Sequence, residues 1–380
     1  MIPFGDLSRE YPVFSSEIRQ RLDLIMKRGI FLMGKELEEF EARMAAYLGV
    51  SYAIGVSSGT DALIIGLRSL MIEPGSEVLV PVNTALPTAM AVVLAGYKPV
   101  FVDIDPHDHL IAIEDAQTRM STTTKAIIPV HLYGNICRMD AVMEFARQNN
   151  LYVIEDCAQA HGGTFSNRSV GSWGHCSAFS FYPSKNLGAY GDAGAVTTND
   201  EQIYRACLQI RSYGEFERYH TDRWGGNFRM DEFQAAVLNT KLSALDNLLT
   251  HRNQAAQLYK KNLSRNPNLT LINPPDSVHH LMVIRTPLRD SLQTYLRQQE
   301  IQTMIHYPIL LPDQPYFKKL HLTQQAFPVA ESINPQILSL PLFNFIREQE
   351  IEQVCQSIGH FFKTPIKPES TPLNHGKGHK

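Results

Sequence analysis

The stretch Leu151-Tyr152-Val153-Ile154-Glu155-Asp156-Cys157-Ala158-Gln159-Ala160-His161-Gly162 decides how this chain is read. An apolar run ends abruptly in two acids, followed by a glutamine and a histidine. Successive rather than alternating apolar residues suit a strand buried on both faces, the habit of parallel sheets covered by helices. In open α/β sheets, ligands bind at the carboxyl ends of strands. A carboxylate in that place can bind a metal, act as a base or pair with a cationic heterocycle. It can also merely cap the following turn, and spacing alone fits Glu155 and Asp156 to that duty equally well.

Outward from this stretch, similar short runs alternate with helical patterns. They are Tyr52–Val56, Glu77–Val82, Pro99–Asp103, Ala126–Val130, Ala178–Phe181 and Gly194–Thr197. A helix carrying Ala62, Leu63, Leu67 and Leu70 follows the first run, and one capped by Asp140 carries Val142, Met143, Phe145 and Ala146. Strands separated by helices predict an α/β fold, a mostly parallel sheet with helices on both faces. Beyond Asp231 the texture changes to helix patterns at Asp231–Leu249, Arg252–Leu263, Asp290–Gln299 and Glu348–Phe362, with one apolar run, Leu281–Ile284. We therefore expect a large domain over 1–245, a smaller α+β domain over 246–366 and a disordered polar tail over 367–380.

At 380 residues, 44% hydrophobic and 19% charged, the composition is that of an ordinary globular enzyme. A formal charge of −3 argues against a nucleic-acid binder working through a basic surface. No apolar run approaches the roughly 20 residues that span a bilayer, and the N-terminus lacks the pattern of a signal peptide, so a cytoplasmic location is expected. Five scattered cysteines form no CxxC pair and fit reduced thiols better than a zinc site or disulfides. No metal is expected.

Two further segments place polar residues beside strand ends. In Val56-Ser57-Ser58-Gly59-Thr60-Asp61-Ala62 a strand turns into a helix. Free N–H groups and the helix dipole make such a turn an anion site, although a serine N-cap without ligand has the same sequence. In Ser180-Phe181-Tyr182-Pro183-Ser184-Lys185-Asn186-Leu187-Gly188 a lysine sits among hydroxyls and glycine. Its amine must be shifted from an ordinary pKa near ~10.4 before it can form an imine. The competing phosphate-loop pattern GxxxxGK[ST] is absent.

Together these segments resemble the DegT-type sugar aminotransferases, enzymes of fold type I that depend on pyridoxal 5′-phosphate (PLP). The resemblance runs from about residue 1 to residue 365. It rests on MIPFGDL, FLMGKELEEFE, SSGTDAL, PVFVDID, VHLYGN, EDCAQAHGG, FSFYPSKNLGAYGDAGA, GGNFRMDEFQAA and HYP, in that order. It implies that Lys185 binds PLP as a Schiff base and then moves protons as base and acid. It implies that Asp156 pairs with the pyridine nitrogen, that Gln159 lies near the phenolic oxygen, and that Ser180 with the backbone at Gly59 and Thr60 holds the phosphate. Asn227 is expected to reach the phosphate of a neighbouring subunit's cofactor, which makes a homodimer the working unit. Tyr219, His220, His306 and Tyr307 resemble segments near the substrate.

The implied reaction moves an amino group from an amino acid, L-glutamate by family habit, to a nucleotide-linked keto-sugar. VHLYGN favours a dTDP-linked 3-keto-6-deoxyhexose, with carbon 4 or a UDP-sugar as alternatives. Two features depart from the family pattern. Ala85 stands where an aromatic residue usually stacks on the cofactor ring, and Ser58 replaces a frequent asparagine. Some relatives carry histidine at the lysine position and dehydrate instead, and Lys185 argues against that chemistry. A cysteine desulfurase or lyase is disfavoured because no cysteine lies in an evident mobile loop. A reading of another class, a non-catalytic regulator binding PLP or sugar, draws its support from Ala85.

Overall fold

Nine short strands and seven α-helices build the chain as far as Arg211. A computed structural model describes residues 1–320 and 326–363; the expected tail over 367–380 lies outside the described residues. Strands β1 (Tyr52–Val56), β2 (Glu77–Pro81), β3 (Lys98–Val102), β4 (Thr124–Ile127) and β5 (Tyr152–Asp156) are followed by a small hairpin, β6 (Thr164–Phe165) and β7 (Arg168–Ser169). Then come β8 (Cys176–Ser180) and β9 (Gly194–Thr198). Helices α1 (Tyr11–Arg28), α2 (Lys35–Leu48), α3 (Gly59–Ser69), α4 (Leu86–Leu94), α5 (Ile113–Arg119), α6 (Met139–Asn149) and α7 (Glu201–Arg211) connect and cover them.

Seven of these strands form one sheet in the order β1-β9-β8-β5-β4-β2-β3. Only β9 runs against the rest, pairing antiparallel with both β1 and β8. The expected α/β sheet is thus present. Its strands are apolar on both faces because both faces are covered: Ile54, Val56, Val78, Val80, Val153 and Ile154 are all buried. Strand ends agree with the sequence reading or differ from it by up to three residues, as capping and ladder ends dictate. Helix α6 starts at Met139 after Arg138, so Asp140 lies inside its first turn and pairs with Arg138 rather than serving as the cap.

A hairpin, β10 (Glu215–Glu217) and β11 (His220–Thr221), precedes α8 (Glu232–Leu242), and α9 (Leu245–Leu263) follows at once. The sequence predicted one helix over Asp231–Leu249 and a break after it. The chain instead breaks at Ser243–Ala244, where the Ser243 hydroxyl bonds back to the Asn239 carbonyl and Ala244 closes a tight turn on Lys241. A second antiparallel sheet joins β12 (Thr270–Leu271), β13 (Met282–Arg285) and β14 (Ile337–Leu340). With α9, α10 (Arg289–Gln298) and α11 (Glu348–Lys363) it encloses a separate core around Tyr259, Leu292, Leu296, Val354 and Ile358. Ile2 joins that core and bridges to Ile301, so the first residues pack with the last third of the chain.

One long-range contact fixes α2 against α8. Gly34 precedes α2 and has no side chain to cap it. The buried carboxylate of Glu232 accepts the free N–H groups of Gly34, Glu36 and Leu37 at 2.9, 2.9 and 3.1 Å. It thus caps α2 from another helix and complements the helix dipole. Replacing Glu232 by alanine strands three buried donors and should cost about 2 kcal/mol. A urea titration checks this, and an unchanged midpoint contradicts it.

Candidate active site

Adjacent residues of a strand point to opposite faces, and the end of β5 uses both. Glu155 turns inward. Its carboxylate accepts N–H groups of Gly171, Trp173 and Gly174 at 2.9, 2.7 and 2.8 Å and the Ser177 hydroxyl at 3.0 Å. His131 Nε2 lies 3.4 Å away, and the Cys137 N–H donates to His131 Nδ1. Burial opposes ionisation of Glu155, but these donors hold its pKa below the usual range. Glu155 is therefore an anchor for the loop entering β8. His131, Glu155 and Cys157 lie within 4.8 Å of one another, a spacing compatible with a metal. The acceptor positions of Glu155 are taken by the protein's own donors, and burial pushes the Cys157 thiol up, away from the thiolate a metal needs.

Asp156 faces the opposite way, into a cavity of about 400 Å³ over the strand ends. Its Oδ1 accepts the Ala158 N–H at 3.1 Å, and its Oδ2 accepts the Thr88 hydroxyl at 2.8 Å. Burial raises its pKa. A cation placed beside it would relieve that cost, which is the match an acid offers a protonated heterocycle. Thr88, from α4, was not singled out from the sequence. It lies 68 positions away from Asp156, and no local pattern marks it.

The same cavity is lined by Ser58, Gly59, Thr60, Gln159, Ser180 and Lys185. Ser58 caps α3 by accepting the Asp61 N–H, which leaves the N–H groups of Gly59 and Thr60 without partners among the described residues. A Cβ on Gly59 would stand 2.5 Å from that of Ser180, so only glycine lets these two segments meet. Two free N–H groups, a helix dipole and a serine hydroxyl make a phosphate cradle. Gln159 is held at both ends: its Oε1 accepts the Tyr133 N–H at 2.6 Å, and its Nε2 donates to the Tyr307 hydroxyl at 3.2 Å. Ala85 borders the cavity with Leu86, so an aliphatic side chain lies where the resemblance leads one to expect a ring.

Lys185 also lines a second chamber of about 480 Å³, shared with Gln159, Tyr182 and Tyr307. Phe4–Leu7, Glu10, Arg252, His280, His306 and Asn344 are among its other walls. His306 bonds through Nδ1 to the Ser339 hydroxyl at 2.9 Å, and its carbonyl accepts the Tyr133 hydroxyl. Lys185 makes no hydrogen bond or ion pair through its amine among the described residues. Burial lowers its pKa to about 8, although Asp156 pulls the other way. Burial and Lys185 together lower His306 to about 4 and His161 to about 3, so both rings are neutral at neutral pH.

Three sequence-selected residues lie elsewhere. Tyr219 and His220 sit on the exposed β10–β11 hairpin, and Asn227 is exposed with its side chain accepting from Arg229 Nε at 2.9 Å. None lines either chamber. A larger hollow of about 600 Å³ beside α6, lined by Met143, Arg147, Tyr152 and His175, contains no comparable convergence of reactive groups.

A helix-covered sheet with an isolated, deprotonatable lysine, a buried acid and a phosphate cradle at its strand ends defines a PLP-dependent enzyme site. Over residues 12–359 the chain matches the DegT/DnrJ/EryC1/StrS aminotransferase family, and it belongs to that family. Its members are PLP-dependent sugar aminotransferases. The chain is 39% identical over 364 residues to a dTDP-3-amino-3,6-dideoxy-alpha-D-galactopyranose transaminase of Aneurinibacillus thermoaerophilus, covering 95% of this chain and 99% of the relative. It is 38% identical over 367 residues to a pleiotropic regulatory protein of Geobacillus stearothermophilus, with 95% and 99% covered. The crystal structure of S. venezuelae DesV in complex with a ketimine intermediate superposes with a TM-score of 0.93 at 36% identity, covering 96% of this chain and 99% of that one.

Lowering the lysine from 10.5 to about 8 raises its free-amine fraction at pH 7 from about 0.03% to about 10%. Covalent capture of added PLP by the cofactor-free chain should therefore accelerate with pH and level off just above pH 8. Stopped-flow absorbance checks this, and a rate still climbing at pH 10 contradicts the shift.

Proposed function

We propose that this chain transfers an amino group from L-glutamate to a nucleotide-linked keto-sugar, with a dTDP-linked 3-keto-6-deoxyhexose as the favoured acceptor. The observation that carries the reading is the position of Lys185, whose amine borders both chambers. One chamber has the phosphate cradle and the acid, and the other leaves room for substrate. When bound, PLP supplies an electron sink that stabilises negative charge at the carbon being deprotonated.

The chain's own residues supply the rest. Ser180 and the N–H groups of Gly59 and Thr60 would hold the phosphate, and Asp156, steadied by Thr88, would pair with the pyridine nitrogen. Gln159, clamped between Tyr133 and Tyr307, would lie near the phenolic oxygen of a bound cofactor. Lys185 takes a proton from the donor's α-carbon and returns one at the neighbouring position, which its pKa near neutrality favours. His306 and Tyr307 line the substrate side. The sugar names of the relatives and the VHLYGN segment support the choice of acceptor.

Asn227, Tyr219 and His220 act across a homodimer in this reading. Ile30, Phe31, Leu32 and Met33 are each more than two-fifths exposed, and Phe216, Tyr219 and Trp224 are exposed on and beside the hairpin. Such apolar surface suits burial against a second copy. The large unit over 1–245 and the smaller one over 246–366 complete the reading. Among described residues no helix is long and apolar enough to cross a membrane, which accords with work on water-soluble substrates in the cytoplasm.

The name of the Geobacillus relative favours a second reading, a regulator that binds cofactor or sugar without turnover. Glutamate separates the two. Added to the PLP-loaded protein it should discharge the visible band of covalently held PLP, and a panel of dTDP- and UDP-keto-sugars should restore it, the dTDP-3-keto-6-deoxy sugar fastest. Lys185→Ala should lower transfer by at least about 100-fold, the worth of a positioned base. A band that glutamate leaves unchanged supports the regulator, and full turnover by the variant contradicts the role of Lys185.

A further inference from the structure

His280 lies just before β13 and is buried, only 6% exposed, yet it lines the second chamber. Its Nδ1 is 3.2 Å from Oδ1 of Asn186. The Asn186 amide nitrogen donates to the Val278 carbonyl at 3.1 Å, which fixes which end of the amide meets the ring. An amide oxygen only accepts, so Nδ1 carries the imidazole proton and Nε2 keeps its lone pair. Nε2 has no hydrogen-bond partner among the described residues. Nor is it sealed in like the ring nitrogens of His109, His161 and His279. It therefore opens on the chamber.

The groups acting on this ring are Lys185, Arg252, His161 and His306, and all oppose its protonation, as burial does first. Arg252, the guanidinium of the chamber, is already engaged by the carbonyls of His279, His280 and Leu342 and by Asn344 Oδ1. Glu10 is paired with Lys241. Beside Lys185 the chamber thus presents a bare neutral acceptor and no free guanidinium. That surface suits a hydroxyl donor on a neutral ring.

We propose that His280 accepts a hydrogen bond from a ring hydroxyl of the hexose, and that Asn186 acts as a positioning residue by holding the required tautomer. This rests on the nucleotide-sugar reading above. The test compares binding of dTDP-glucose and dTDP to the PLP-loaded protein by calorimetry. The wild type should bind dTDP-glucose more tightly than dTDP. His280→Leu should weaken dTDP-glucose binding by about tenfold while leaving dTDP unchanged, and His280→Gln, which retains an acceptor, should recover part of the loss. A Leu variant that keeps the full advantage of the hexose overturns the role of His280 alone. A wild type that binds neither nucleotide overturns the nucleotide-sugar reading and this inference with it. Should His280→Leu not fold, ¹⁵N NMR of histidine-labelled wild type decides: the proposal requires an unprotonated Nε2 that shifts on adding dTDP-glucose, and a protonated Nε2 overturns it.

Discussion

Two neighbouring carboxylates at the end of a buried strand cannot point the same way, and the site follows from that constraint. Glu155 is drawn into the protein by three donors from the loop that leads into β8 and one from β8 itself. Asp156 is thereby turned toward the cavity, where two hydrogen bonds leave its charge only partly compensated. Burying an under-compensated carboxylate is costly, so the arrangement favours a cation against it. The same desolvation works on Lys185 in the opposite sense and frees its amine near neutral pH.

Around this pair the sheet acts as a rigid frame. The ends of β1, β5 and β8 bring Gly59, Asp156 and Ser180 onto the rim of one cavity although they are distant in sequence. The close approach of Gly59 to Ser180 fits the anion cradle, and the Tyr133–Gln159–Tyr307 chain ties that cavity to the second chamber. Residues from the last third of the chain, His280, His306 and Asn344, close the second chamber beside the N-terminal Phe4–Leu7. The first residues and the last third of the chain thus contribute to one pocket.

Much of this was legible in the sequence because it is written in short contiguous segments. The strand ending in Glu155-Asp156, the Ser58-Gly59-Thr60 turn and the Ser184-Lys185-Asn186 loop are each a few residues long. Sequence alone did not separate Glu155 from Asp156, since the separation depends on donors 16 to 22 positions downstream. Thr88, Tyr133 and His280 escaped notice for the same reason: each acts through a partner far along the chain. The break between α8 and α9 was also misplaced. It depends on a serine bonding back to its own helix, which periodicity does not register. Tyr219, His220 and Asn227 were selected by resemblance and lie outside both chambers.

We propose that Lys185 is the amine that holds the cofactor. Loading the purified protein with PLP, reducing it with borohydride and mapping its peptides by mass spectrometry tests this directly. The account predicts one stable pyridoxyl adduct, on the peptide containing Lys185. An adduct on another lysine, or none at all, would contradict it.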